Sequence, residues 1–248
     1  MEKIKFLNTS VNNISLSKAV AEIISMVKND IHGYVVPINV DVVLKSENDP
    51  LLKRAIDESD ICLLDGMPLV WISKIHGTPV KEKVSGSDLV PALLRQAAKS
   101  GMSVFILGGK EGIPEMAMKN IMLANPGIVN AGCYSPPFGF ENYEEELDKI
   151  NKMISDAHPD ILLACFGCPK QELWVYGNRN KCRAKVIVCA GATVDFLAGN
   201  VKRCPRWMSE HGLEWFYRFT KEPKRLFRRY FIEGPKIIKI ALKYRNHY

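Results

Sequence analysis

Val104–Ala124 reads VFILGGKEGIPEMAMKNIMLA: an apolar run Val104–Leu107, a Gly108–Gly109 pair, and a helical segment near Pro114–Ala124. Four consecutive apolar residues closed by glycines have the form of a strand buried on both faces, and the pair turns the chain into a helix. The same unit recurs on either side. Upstream, Ser17–Asn29 is apolar at Ala19, Val20, Ile23, Ile24 and Val27, a three-to-four spacing that predicts an amphipathic helix, and Tyr34–Val40 then reads as a buried strand. Leu51–Ser59 is predicted helical and Ile61–Leu64 a strand. Asp65–Gly66 breaks the chain before a helix Pro68–Ile75, and Ser87–Asp88 is expected to cap a helix Leu89–Ser100. Downstream, a strand Ile128–Gly132 leads to a loop Tyr134–Glu141. Helix Glu144–Ala157, strand Ile161–Phe166, helix Lys170–Asn180 and strand Val186–Ala190 follow. Continuous apolar strands alternating with amphipathic helices imply an α/β fold, a Rossmann-like parallel sheet with helices on both faces. It is expected to occupy residues 1–200, with residues 201–248 as a basic C-terminal helical appendage.

Charge divides the chain at the same place. Of 248 residues, 47% are hydrophobic and 25% charged, enough for one substantial core. From Lys202 to Tyr248 there are 13 Lys and Arg against 4 Asp and Glu; this tail therefore supplies the whole net charge of +7, and residues 1–201 carry −2. A cationic arm on a near-neutral body points to an anionic partner: a membrane surface, a nucleic acid or a diphosphate. Met1–Leu7 has no long apolar region behind its lysines, so no signal peptide is expected, and no stretch reaches the ~18 apolar residues of a spanning helix. The seven cysteines fit a reducing cytosol. Cys165 and Cys168 form a lone C-x-x-C without the second pair that a zinc site needs, so no metal is expected.

In sheets of this class ligands sit beyond the carboxyl ends of the strands. Those ends are Pro37–Asn39, Asp65–Gly66, Gly108–Gly109–Lys110, Gly167–Gln171 and Gly191–Asp195. Leu107–Gly112 (LGGKEG) would let backbone amides approach a phosphate, or else its glycines serve only a tight turn. It is neither G-x-G-x-x-G nor G-x-x-x-x-G-K-[ST], which argues against a dinucleotide cofactor or a P-loop enzyme. Asp65, a carboxylate directly after a buried strand and before a glycine, suits a general base that takes a proton from a sugar hydroxyl; the competing reading is an N-cap for the next helix. Asn39 could orient a substrate hydroxyl or bond a loop backbone, and Asp41 is as well explained by solvation.

The motifs in order are Asn39, Leu64–Trp71 (LDGMPLVW), Val84–Asp88 (VSGSD), Phe105–Gly109, Pro169–Trp174 (PKQELW), Asp195–Gly199 (DFLAG), Arg203–Met208 (RCPRWM) and Gly212–Trp215 (GLEW). This series, spread over about residues 34 to 230, resembles the WecG/TagA/CpsF family of bacterial glycosyltransferases. The resemblance implies transfer of a sugar, typically N-acetylmannosamine or its uronic acid, from a UDP-sugar onto an undecaprenyl-diphosphate-linked sugar. The polymers so served are wall teichoic acid, enterobacterial common antigen or exopolysaccharide. It also implies roles: Asp65 as catalytic base, Asn39 beside it, Gln171 on substrate, and Arg218, Arg225 and Arg228 on an appendage that closes over the site at the membrane and contacts the diphosphate. Guanidinium forks suit a departing UDP in an inverting displacement. No D-x-D occurs in the chain, so a divalent metal on the diphosphate is not expected and arginines take its place. Two positions depart from the family pattern. Pro37 stands where many members have a threonine, and Lys83 where an arginine usually precedes V-x-G-[ST]-D, which keeps the charge but loses the fork.

The tail carries its own pattern. From Pro223, Leu226, Phe227, Tyr230 and Phe231 share one helical face and Lys224, Arg225, Arg228 and Arg229 the other; after Pro235, Ile237, Ile238, Ala241 and Leu242 oppose Lys236, Lys239 and Lys243. Such segments lie in an anionic membrane interface, or else their apolar faces pack on the body. The expected protein is a cytoplasmic, metal-independent glycosyltransferase held peripherally at the inner face of the membrane. Asp65 and Asn39 would serve catalysis; Lys83, Gly108, Gly109, Gln171, Arg218, Arg225 and Arg228 would bind substrate. No cofactor and no nucleic acid are expected, and a homo-oligomer is allowed. The rivals are a non-catalytic lipid- or polyanion-binding module and a sugar-nucleotide-modifying Rossmann enzyme, the latter lacking its cofactor fingerprint.

Overall fold

The structure, a computed structural model, describes residues 2–205, 207–208 and 212–245, except the side chain of Arg225. A short antiparallel hairpin, β1 (Ile4–Phe6) and β2 (Thr9–Val11), precedes six parallel strands: β3 (Gly33–Ile38), β4 (Ile61–Leu64), β5 (Ser103–Gly108), β6 (Val129–Tyr134), β7 (Ile161–Cys165) and β8 (Val186–Cys189). Their order across the sheet is β4-β3-β8-β7-β5-β6.

Because side chains alternate along a strand, each of these apolar runs feeds two cores. Val36, Ile38, Leu64, Leu107, Leu162 and Ile187 face one; Val35, Leu63, Ile106, Leu163, Val186 and Val188 face the other. The first core is closed by residues of α2 (Val40–Ser46), α3 (Pro50–Asp57), α4 (Met67–Ile75), α7 (Glu144–Ala157) and α8 (Lys170–Asn178). The second is closed by α1 (Leu16–Lys28), α5 (Gly86–Ala98), α6 (Ile113–Ala124) and α9 (Thr193–Leu197). This is the expected doubly covered parallel sheet.

Local chemistry moves several boundaries. Val40 begins α2 and does not extend β3, because the Asn39 side chain accepts from the N–H groups of Asp41 and Val42 and starts a helix there. The cap of α5 is Ser85, whose hydroxyl accepts from the Asp88 N–H, and not Ser87–Asp88. The segment Tyr134–Glu141 is a loop only in its middle, since Tyr134 ends β6 and Phe140–Asn142 makes a 3-10 turn. Pro37 is accommodated within β3 because pairing with β8 ends at Val35↔Val188, so its missing N–H falls beyond that ladder.

In the tail, helices Glu214–Lys221 and Pro223–Phe227 lead through a wider π-helical turn, Arg228–Glu233, and a 3-10 turn into helix Ile237–Lys243. The apolar faces expected there are split between two surroundings. Ile237 and Ile240 are buried in the first core, with Ala241 packed against it, whereas Phe227, Phe231, Ile238 and Leu242 are 52%, 49%, 61% and 64% exposed. Ring contacts join the exposed aromatic group, with Phe231 5.2 Å from Phe219 and 5.3 Å from Phe227. Among the described residues, no helix is long and apolar enough to cross a membrane.

Candidate active site

Asp65 stands at the carboxyl end of β4. Its N–H donates to the Ile38 carbonyl at 2.7 Å, extending the sheet by one residue. Gly66, at φ 107°, a conformation that L side chains resist, then swings the chain into α4. Gly66 occupies the cap position of that helix and no side chain caps it, so the Asp65 carboxyl is not spent as an N-cap. It borders two adjoining clefts of about 440 Å³ and about 470 Å³. Burial, and after it the Glu214 carboxylate, push this carboxyl up to about 6, against the opposing pull of Lys83 and Arg218.

Lys83 is brought to the Asp65 end of β4 because the next residue, Val84, donates its N–H to the Leu64 carbonyl at 2.8 Å, running the loop alongside that strand. The Lys83 ammonium lies 2.9 Å from Asp88 and 3.9 Å from Glu214. Burial works against the Asp88 charge, but the Ser85 hydroxyl, Lys83 and Arg203 outweigh it and hold that carboxyl at about 2. Arg218 comes from the tail, donates to Glu214 at 2.5 Å and stacks 5.0 Å from the Phe196 ring. Its Nε is buried with no partner among the described residues, an unmet donor beside the carboxylates.

The two clefts meet at Asn39, Asp41, Asp65, Arg218, Arg229 and Glu233 and differ beyond them. The first runs under the tail past Leu44, Met67, Trp71, Trp215, Phe231 and Ile237 and is mainly apolar. The second runs over the ends of β3 and β8, past Lys45, Gly86, Gly167, Gly191 and Thr193, and is mainly polar, with Arg228 at its edge. Asn39 borders both, yet its Oδ1 is taken up in capping α2, and Arg229 Nη2 also lies 3.4 Å from it. Gln171 borders the second cleft as a brace: its Oε1 accepts from Gly167 N–H at 3.2 Å and Gly191 N–H at 3.0 Å, and its Nε2 donates to Glu172 at 2.8 Å.

The structure therefore brings Asp65, Asn39, Lys83, Gln171, Arg218 and Arg228 to the two clefts. Gly108 and Gly109, expected to cradle a phosphate, border neither of them. A Cβ on Gly108 would lie 2.8 Å from the Cys165 carbonyl oxygen, so this glycine answers the close approach of β7. The Arg225 side chain lies outside the described residues. Arg229, which the sequence marks only as part of a cationic face, borders both clefts, 3.7 Å from Asp41. Glu172, which the sequence shows only as one residue of the Pro169–Trp174 motif, borders the second cleft. Both C-x-x-C thiols, Cys165 and Cys168, are pushed up, chiefly by burial, and among the described residues no group of His, Cys, Asp and Glu is arranged to hold a metal ion.

Residues 4–248 match the Glycosyl transferase WecG/TagA/CpsF family. The chain is 28% identical over 212 residues to the N-acetylglucosaminyldiphosphoundecaprenol N-acetyl-beta-D-mannosaminyltransferase of Bacillus spizizenii, a match that covers 86% of this chain and 79% of that protein. It is 29% identical over 206 residues to the enzyme of the same name from Bacillus subtilis (strain 168), covering 83% of this chain and 77% of the relative. A carboxylate poised between a polar and an apolar cleft, on a sheet whose sequence matches the family almost from end to end, leads to one conclusion: the chain belongs to the WecG/TagA/CpsF family of glycosyltransferases.

Proposed function

We propose that the protein moves N-acetylmannosamine from its UDP-activated form onto N-acetylglucosamine carried by undecaprenyl diphosphate, in the synthesis of teichoic acid or a related surface polysaccharide. The names of the relatives supply the two sugars and the lipid. The single observation that carries the reading to this chain is the position of Asp65, free of helix capping at the junction of two clefts of opposite character. The polar cleft suits a sugar nucleotide, with backbone N–H groups and the guanidinium groups of Arg218, Arg228 and Arg229 for the diphosphate. The apolar cleft under the tail suits the lipid-linked acceptor.

In this reading the acceptor hydroxyl oxygen attacks the anomeric carbon from the face opposite the diphosphate. Asp65 takes the hydroxyl proton, the carbon–oxygen bond to the diphosphate breaks, and UDP leaves with the electron pair, so the anomeric configuration inverts. A base that titrates at about 6 is mostly ionised at neutral pH yet still basic enough to accept that proton. Positive charge from Lys83 and the tail arginines stabilises the leaving UDP. Residues 201–248 act as an appendage to the catalytic body: Ile237 and Ile240 anchor it, and Phe227, Phe231, Ile238 and Leu242 are left to enter an anionic membrane surface.

The test is a panel of UDP-sugars offered with and without an undecaprenyl-type diphospho-N-acetylglucosamine. UDP release that requires both the acceptor and UDP-N-acetylmannosamine supports the proposal; release with another donor replaces the sugar, and binding without release in any pairing rejects transfer.

A further inference from the structure

The polar cleft contains a carboxyl group that the mechanism above does not use. Glu172, on the first turn of α8, is 0% exposed and borders this cleft together with Pro37, Cys189 and Gly191. Its hydrogen bonding fixes which of its oxygens can do what. Gln171 Oε1 accepts two backbone N–H groups, from Gly167 and Gly191, so the Gln171 amide cannot be turned the other way round, and the group that meets Glu172 Oε1 at 2.8 Å must be the donor Nε2. Glu172 Oε1 is therefore an acceptor. Glu172 Oε2 is buried and makes no hydrogen bond of ordinary geometry among the described residues.

A buried carboxylate oxygen without a partner is costly, and the group avoids that cost by keeping its proton. Burial pushes the Glu172 carboxyl up. Lys45, whose charge opposes that rise, is engaged elsewhere, with its ammonium 2.9 Å from both Asp41 Oδ2 and the Cys168 carbonyl. With Oε1 accepting, the proton belongs on Oε2, which makes Glu172 an O–H donor whose neighbour in the protein is the Cys168 thiol, a weak acceptor. A ligand that brings an oxygen acceptor supplies a stronger partner than that thiol. The charged oxygens of a diphosphate have Arg218, Arg228 and Arg229 in the same cleft, so a neutral donor is better matched to a neutral carbonyl.

Distance along the sheet selects which carbonyl. Asp65 follows β4 and Cys189 ends β8, with β3 between them, so about two strand spacings, ~10 Å, separate the two ends. A base within ~3 Å of the acceptor hydroxyl, that hydroxyl within ~3 Å of the anomeric carbon, and a substituent on the neighbouring ring carbon together cover this span. A uracil carbonyl, beyond the ribose and two phosphates, would lie farther off. We propose that Glu172 is a specificity-determining residue whose Oε2 donates a hydrogen bond to the acetamido carbonyl oxygen of the donor sugar. This inference rests on the functional reading above.

Calorimetric titration of the full-length protein with UDP, UDP-N-acetylmannosamine and UDP-mannose tests it, using wild type, Glu172→Gln and Glu172→Met. Gln keeps an acceptor oxygen for Gln171 and places an N–H donor where the O–H was, so it should retain wild-type discrimination within about 3-fold. Met keeps the bulk and removes the donor; its preference for the acetylated sugar should fall by about 10-fold or more while UDP affinity stays as in wild type. Loss of discrimination in Glu172→Gln equal to that in Glu172→Met, an equal loss of UDP affinity in Glu172→Met, or a wild type that binds both sugars alike would each overturn the proposal. If melting curves show Glu172→Met unfolded, the wild-type and Glu172→Gln titrations decide alone. Acceptor-dependent UDP release by wild type, measured in parallel, separates failure of this inference from failure of the functional reading.

Discussion

Replacing Asp65 with Asn should make the protein more stable at neutral pH and no more stable in acid. In the fold this carboxyl titrates at about 6 rather than 3.8, burial being the main cause. At ~1.4 kcal/mol for each pH unit, the displacement amounts to about 3 kcal/mol of preference for the neutral form. The folded pKa is raised, so the contribution of Asp65 to stability is fully present below about 3.8 and is lost as pH rises through about 6. Asn has the same shape and nothing to ionise, and it escapes that loss. The gain of Asp65→Asn over wild type should grow from near zero at pH 3.5 to an upper limit of about 3 kcal/mol at pH 7.5. For a chain of this size that corresponds to about 6–12 °C in melting temperature, readable by calorimetry or urea denaturation across the pH range. A variant no more stable than wild type at pH 7.5, or equally favoured at both ends, would refute a carboxylate that the fold desolvates. Stability gained as activity is lost is the usual cost of a catalytic group.

Arg229→Ala should raise the KM for the UDP-sugar about 10-fold or more, with Arg229→Lys recovering only part of it because the planar fork is gone; an unchanged KM removes Arg229 from the site. Gly108→Ala should cost about 1–3 kcal/mol in urea denaturation, through its positive φ and the approach to Cys165, while the folded variant keeps its UDP affinity. A stable Gly108→Ala protein with weakened UDP binding would return that turn to the site. Changing Phe227, Phe231, Ile238 and Leu242 to Ser should abolish co-sedimentation with anionic vesicles and leave the melting temperature within a few degrees, since all four are about half exposed or more. Undiminished sedimentation would argue that the tail is not the membrane contact.

What the chain announced and what it concealed follow from the same physics. The parallel strands were readable because burial on both faces leaves no room for polar residues, as in Ile161–Cys165, where all five residues are buried. The β1–β2 hairpin was not, because strands of three residues offer too short a pattern. Helix α2 was hidden by Val40, Val42 and Val43, β-branched residues that prolong the look of a strand; the Asn39 cap outweighs them. Asp65 could be singled out because its position after a strand is written in the sequence, but whether it capped α4 depended on the backbone at Gly66. Arg228 and Arg229 both fall on the basic side of the regular helical pattern. The wider turn at Arg228–Glu233 directs Arg229 toward Asn39 and Asp41, and that turn has no sequence signature. Glu172 was obscured by the general rule that charged residues on helices face water, which a buried carboxyl can break when it stays neutral.

The central claim, that Asp65 accepts the proton of the incoming hydroxyl, is tested most directly by the pH dependence of kcat/KM for acceptor-dependent UDP release in wild type and Asp65→Asn. The account predicts a wild-type rate that rises through an ionisation near 6 and levels off above it, and a variant slowed ~100- to 10,000-fold that still binds UDP with near wild-type affinity. A flat wild-type profile between pH 5 and 7, or near-normal turnover by Asp65→Asn, would contradict it.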